Sequence, residues 1–338
     1  MFSCKIERIM DNNMNRMLFG IVFFLISLNG VFTDEMPQEP PVPAQAQAKA
    51  ASVFNWEFQT AFGIKSAQTR EYVYQNGKQI SRLDWTDYIA PFAAFSTLFS
   101  VFNITAGAGI SLSIPVQSGI MEDYDFLIAG SDAASLYSRH DSYLDKDFSC
   151  YAELGYVFKI KTFYIFPAAG FCYENRKWSA ADGYLQYPAS GAWTGSEPKE
   201  NVYGTVISYE QAVWHPALSL CAGYIYKQII DVSLYGKFYP YLWSESIDSH
   251  FLREPPVRFY DTLKGGIGGK FGLQTAFSPA KGIALVLSIE YEMLTSAKGA
   301  SSSGTIGKGN GVLVLDEAEG AKMERGAFAA SLGVRVKG

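Results

Sequence analysis

Ile283-Ala284-Leu285-Val286-Leu287-Ser288-Ile289-Glu290-Tyr291-Glu292-Met293 is the stretch that decides the architecture. Every second residue is apolar and mostly large: Ile283, Leu285, Leu287, Ile289, Tyr291, Met293. The intervening set carries Ser288, Glu290 and Glu292. A period of two puts these sets on opposite faces of an extended strand. The last segment repeats it, with Phe328, Ala330, Leu332, Val334 and Val336 against Ala329, Ser331, Gly333, Arg335 and Lys337. So does Ile104 to Ile114, with Ile104, Ala106, Ala108, Ile110, Leu112 and Ile114 on one side. Val232, Leu234, Gly236 and Phe238 likewise alternate with Ser233, Tyr235, Lys237 and Tyr239. Greasy residues on one face and small or charged ones on the other fit an all-β transmembrane barrel, lipid outside and a polar lumen within. A soluble β-sandwich gives a similar alternation.

Two features decide for the barrel. Aromatics make up 15% of the chain, with 21 Tyr and 24 Phe, as membrane-interface girdles require. The apolar run Met17 to Val31 follows Lys5, Arg8 and Arg16 and reads as a secretory leader ending near Thr33; it is short for a membrane-anchoring helix. Residues 34–52 are rich in Pro, Ala and Gln and read as a disordered spacer, leaving 53–338 as the barrel. The mean hydropathy is near zero because apolar and polar residues are interleaved. A formal charge of −5, with no long basic run, excludes general nucleic-acid binding. Cys4 leaves with the leader, and Cys150, Cys172 and Cys221 remain as small apolar side chains inside strands.

Counting the alternating runs predicts ten antiparallel strands. Tight turns are expected near 98–100, 159–161, 226–230 and 278–282, and longer polar connections at 75–78, 118–144, 180–201, 246–256 and 296–319. Short turns belong at one barrel end and long loops at the other. All long loops then fall on the outer side. The chain ends Val336-Lys337-Gly338, without the terminal aromatic residue of many outer-membrane barrels.

Chemistry-bearing residues gather on those outer connections. Met121-Glu-Asp-Tyr-Asp125 holds two carboxylates two residues apart, and Ser138-Arg-His140 a hydroxyl and an imidazole at the same spacing. Asp248-Ser-His250 repeats that spacing downstream, and His140, His215 and His250 are the only three histidines. On an extended chain each pair shares one face. Carboxylates with imidazoles suit water activation, one group taking the proton while others orient the water and hold charge. Solvated loop residues would show the same composition.

With Thr69-Arg-Glu-Tyr-Val-Tyr-Gln-Asn-Gly-Lys-Gln-Ile-Ser-Arg-Leu-Asp-Trp85, these motifs carry a resemblance from about Phe54 to the end. In this order the chain resembles the omptin family of outer-membrane aspartyl-type proteases. The resemblance implies a ten-stranded barrel rising above the membrane, with its active site in a groove at the outer rim. It implies that Asp248 and His250 form the dyad that activates water and that Asp123 and Asp125 face it as a carboxylate couple. Ser138 and His140 match supporting positions, and neither a metal nor another cofactor is implied.

The family cuts peptide and protein substrates at the cell surface beside basic residues, using acids at the groove floor. Glu71 matches one such acid, and the position of its partner falls on Ser246, next to Glu245. The family also needs lipopolysaccharide, held on the outer barrel wall. Glu174 and Arg176 match part of that site, but Ala212 stands where a second arginine is expected, which implies a different glycolipid or none. No function attaches to His215 beside Trp214 and Pro216, which reads as an interfacial or structural residue. The expected protein is a monomeric endopeptidase. The alternatives are a barrel acting as a surface adhesin or invasion factor, or a porin, for which ten strands leave little room.

Overall fold

The structure, a computed structural model, describes residues 54–306 and 316–338. The leader and spacer expected at 1–33 and 34–52 lie outside the described residues. All regular structure among the described residues is strand: β1 (Phe54–Gln75), β2 (Lys78–Val101), β3 (Ile104–Ser113), β4 (Val116–Asp125), β5 (Leu136–Tyr156), β6 (Phe158–Ile160), β7 (Phe163–Gln186), β8 (Glu200–Asn201), β9 (Thr205–Tyr226), β10 (Ile230–Tyr239), β11 (Trp243–His250), β12 (Val257–Lys264), β13 (Gly266–Ala280), β14 (Ile283–Ser296), β15 (Gly299–Thr305) and β16 (Asp316–Lys337).

Several of these are halves of one strand. β3 and β4 both pair β2 and β5, β10 and β11 both pair β9, and β14 and β15 both pair β16. β12 and β13 face β11 and β10 in the same way. Joined so, the described residues form ten antiparallel staves. β16 closes the ring on β1, from Glu57↔Lys337 to Val73↔Ala321.

The breaks have local causes. Pro115 and Pro240 lie in two of them and lack the N–H a ladder needs. Gly265, at φ +98, fills a third. Register shifts at Lys65/Ala67, Gln117/Gly119 and Leu144/Lys146 add bulges.

Faces assign the environment. Phe62 (72% exposed), Leu234 (65%), Ile267 (60%) and Leu332 (62%) point outward. Inside are ion pairs, Lys237–Glu153 at 3.0 Å and Lys270–Glu290 at 3.1 Å. Apolar outside and charged inside inverts a soluble sandwich and matches a barrel in lipid. A 22-residue stave such as β1 runs about 70 Å, or about 50 Å along the normal at a tilt near 45°, against a hydrocarbon band of about 25–30 Å. The barrel therefore rises well above the bilayer.

That height corrects the turn map. Residues expected as long loops at 118–144 are mostly strand, with β4 running to Asp125 and β5 starting at Leu136. The connection at 75–78 is the tight turn Asn76-Gly77, both at positive φ. The turn expected at 98–100 falls instead at Phe102-Asn103.

Two layers fill the lumen below the rim. The lower is a salt-bridge floor: Asp147 binds Lys65 and Arg176, and Arg325 binds Glu174 and Glu292. His215, fully buried, sits 3.4 Å from Glu174 and against Tyr239, a structural place in that floor. Beneath it lies a cavity of about 670 Å³. The upper layer is an apolar plug in which Trp85, Trp178 and Tyr209 stack mutually at 5.8–6.0 Å among Leu83, Met121 and Ile207.

Glu174 and Arg176 are thereby corrected as lipid ligands. They are 6% and 5% exposed, point inward and are spent on partners within the barrel. On β7 the outward positions are the odd ones, such as Phe171, so a lipid on the wall cannot reach this pair.

Candidate active site

The site sits on the apolar plug at the outer end. On β11 Ser244, Ser246, Asp248 and His250 face in, while Trp243, Glu245 and Ile247 face out; Ser249 breaks the exposure pattern, being buried under Arg258, whose Nε donates to its Oγ at 2.9 Å. Asp248 is 1% exposed and His250 8%. Asp248 Oδ2 and His250 Nε2 are 2.5 Å apart, a short charge-assisted bond. If Nε2 donates to the carboxylate, Nδ1 is left as the basic nitrogen. Phe259 braces the ring edge-on at 5.5 Å.

Across the groove, β4 carries Met121, Asp123 and Asp125 on one face. Ser81 Oγ, from β2, donates to Asp123 Oδ1 at 3.2 Å. Asp123 and His250 feel each other's charge, so couple and dyad confront one another. Burial, then the neighbouring Asp125 charge, pushes the Asp123 carboxyl up to about 7. Burial also raises Asp125, against the pull of Arg253. The couple is thus inclined to keep a proton near neutrality. Burial alone would lower His250, but the Asp248 charge and hydrogen bond outweigh it and hold the imidazole above its ordinary value. Proton-accepting and proton-holding groups therefore face each other.

Ser138 and His140 lie beside the couple but make a closed unit. His140 Nδ1 contacts the Asp182 carbonyl oxygen and so carries its proton there. Nε2 then accepts from Ser138 Oγ at 3.0 Å. Burial lowers the ring's pKa, consistent with this neutral form. With both nitrogens engaged, His140 braces β5 against β7.

The acids at the floor differ from expectation. Glu71 is where the motif puts it, on the inner face and 2% exposed. Ser246 is also inward, but Glu245 points to the outer wall and joins nothing in the groove. Facing Ser246 across β12 is Asp261, 4% exposed, whose Oδ2 accepts from Ser246 Oγ at 3.0 Å. Sequence reasoning missed Asp261, Ser81 and Arg253. Asp261 alternates inward with Phe259 and Leu263, a readable pattern, but only the pairing of β11 with β12 brings it to Ser246.

The omptin family model matches residues 53–337. Among solved structures, the outer membrane protease OmpT from Escherichia coli superposes with a TM-score of 0.78 at 17% identity, covering 84% of this chain and 97% of that one. The translocator domain of the autotransporter NalP from Neisseria meningitidis follows at TM-score 0.32 and 11% identity, covering 86% and 90%. Neisserial surface protein A (NspA) gives 0.26 and 9%, covering 82% and 96%. No curated protein matches by sequence.

Proposed function

This chain belongs to the omptin family of outer-membrane β-barrels, and from that premise we propose that it is a cell-surface endopeptidase of aspartyl type, cutting peptide and protein substrates beside basic residues. The observation that carries the reading is the buried Asp248–His250 bond of 2.5 Å confronting the Asp123–Asp125 couple.

A water between them gives its proton to His250 Nδ1 as its oxygen attacks the scissile carbonyl carbon. Asp248 stabilises the imidazolium. The couple holds the water and keeps the proton it shares. Collapse of the tetrahedral adduct breaks the C–N bond, and His250 returns its proton to the leaving amine. All four side chains come from one chain, which supports action as a monomer.

The refolded protein is expected to hydrolyse a fluorogenic Arg-Arg peptide, and Asp248→Ala to abolish cleavage while the barrel persists. Cleavage that survived Asp248→Ala would remove the dyad from the reaction. We also propose independence from lipopolysaccharide clasped by Glu174 and Arg176, since both are committed to the floor. Added lipopolysaccharide should leave kcat/KM unchanged; an absolute requirement for it would contradict this.

A further inference from the structure

Around Glu71 carboxylates gather: it shares a side-chain hydrogen bond with Asp261, and burial holds its own carboxyl well above the usual range. The leading charges acting on it are carboxylates: Asp248, Asp261 and Asp123. Beyond that shared bond, Glu71 Oε2 and Asp261 Oδ1 are buried without a hydrogen-bond partner among the described residues. Two nearly buried acids in this state are costly for the empty protein, and a bound cation relieves the cost. Glu71 pairs in register with Leu83 on one side and Met323 on the other, both buried. Such flanks suit the methylene stem of a long cationic side chain.

We propose that Asp261 is the second carboxylate of the pocket, and that with Glu71 it takes the guanidinium or ammonium of the substrate residue preceding the cut. Ser246, at 3.0 Å, holds Asp261 in place. The charge that a β11 aspartate would have provided comes instead from the facing strand, one ladder position across. The pocket rests on the endopeptidase reading for its substrate, though not for its affinity for cations. A two-oxygen anion matches the planar guanidinium fork well.

The test uses peptides that differ only before the cut, carrying arginine or its neutral isostere citrulline. The full chain, folded in detergent, should favour arginine by about a hundredfold or more. Asp261→Asn should reduce that ratio at least tenfold, and the exchanged variant Ser246→Asp/Asp261→Ser should restore it. An unchanged ratio in Asp261→Asn, or no arginine preference in the parent, overturns the proposal. If the parent cleaves nothing, the endopeptidase reading fails by itself. Titration calorimetry with ethylguanidinium then decides: binding that Asp261→Asn abolishes upholds the pocket, and absence of binding to the parent overturns it.

Discussion

Replacing Asp248 by asparagine removes one charge and almost no volume. The position is 1% exposed and its oxygen lies 2.5 Å from His250 Nε2, so solvent cannot take over the lost interaction. Breaking a buried ion pair on one side costs about 3–5 kcal/mol. In the reaction that cost falls on the state in which His250 is an imidazolium. At about 1.4 kcal/mol per decade, kcat/KM should drop between about 10² and 10⁴-fold. The amide adds a second penalty. It can donate to Nε2 and force the ring proton onto Nδ1, the nitrogen the water needs.

The pH profile separates this account from simple misfolding. His250 must be neutral to accept a proton, so the rising limb follows its pKa. Asp248 raises that pKa against the lowering effect of burial. Without the charge, burial and the Arg253 charge lower it with only Asp123 opposing them, and the limb should move to lower pH. Fluorogenic peptide hydrolysis from pH 4 to 9 would read both effects. A loss under tenfold, or a limb that stays in place or moves to higher pH, would refute the dyad.

Three further outcomes follow from the same geometry. Glu71→Gln should raise thermal stability while weakening cleavage, by about 0.5–2 kcal/mol. Burial and neighbouring carboxylates raise Glu71, so its cost grows as pH climbs above the ordinary carboxyl range towards the folded value. The gain in melting temperature should therefore be larger at pH 8 than at pH 4, and equal gains would argue against it. Trp85→Ala opens a hole in the plug where Trp178 and Tyr209 meet it at 5.9 and 6.0 Å, and should cost about 3–5 kcal/mol in urea unfolding. Leu332→Arg places a charge on the lipid face at a residue 62% exposed, and should weaken folding into vesicles by up to about 2–4 kcal/mol; an unchanged yield would move Leu332 off the lipid belt.

What the sequence determined by itself was whatever depends on neighbours two residues apart. Alternation at 283–293 and 328–336 set strand, face and membrane, because a strand displays its period locally. The spacing of Asp123 with Asp125 and of Asp248 with His250 likewise placed each pair on a common inner face. Pairing decided the remainder. Strand height is set by how far the ladder continues above the lipid, so segments read as loops proved to be staves. Whether Glu174 and Arg176 meet lipid depended on which alternate face closes inward, and the floor claims them. Asp261 joins Glu71 only because β12 lies beside β11 in a register that sets it opposite Ser246. Register couples residues far apart in the chain, and a local period carries no record of it.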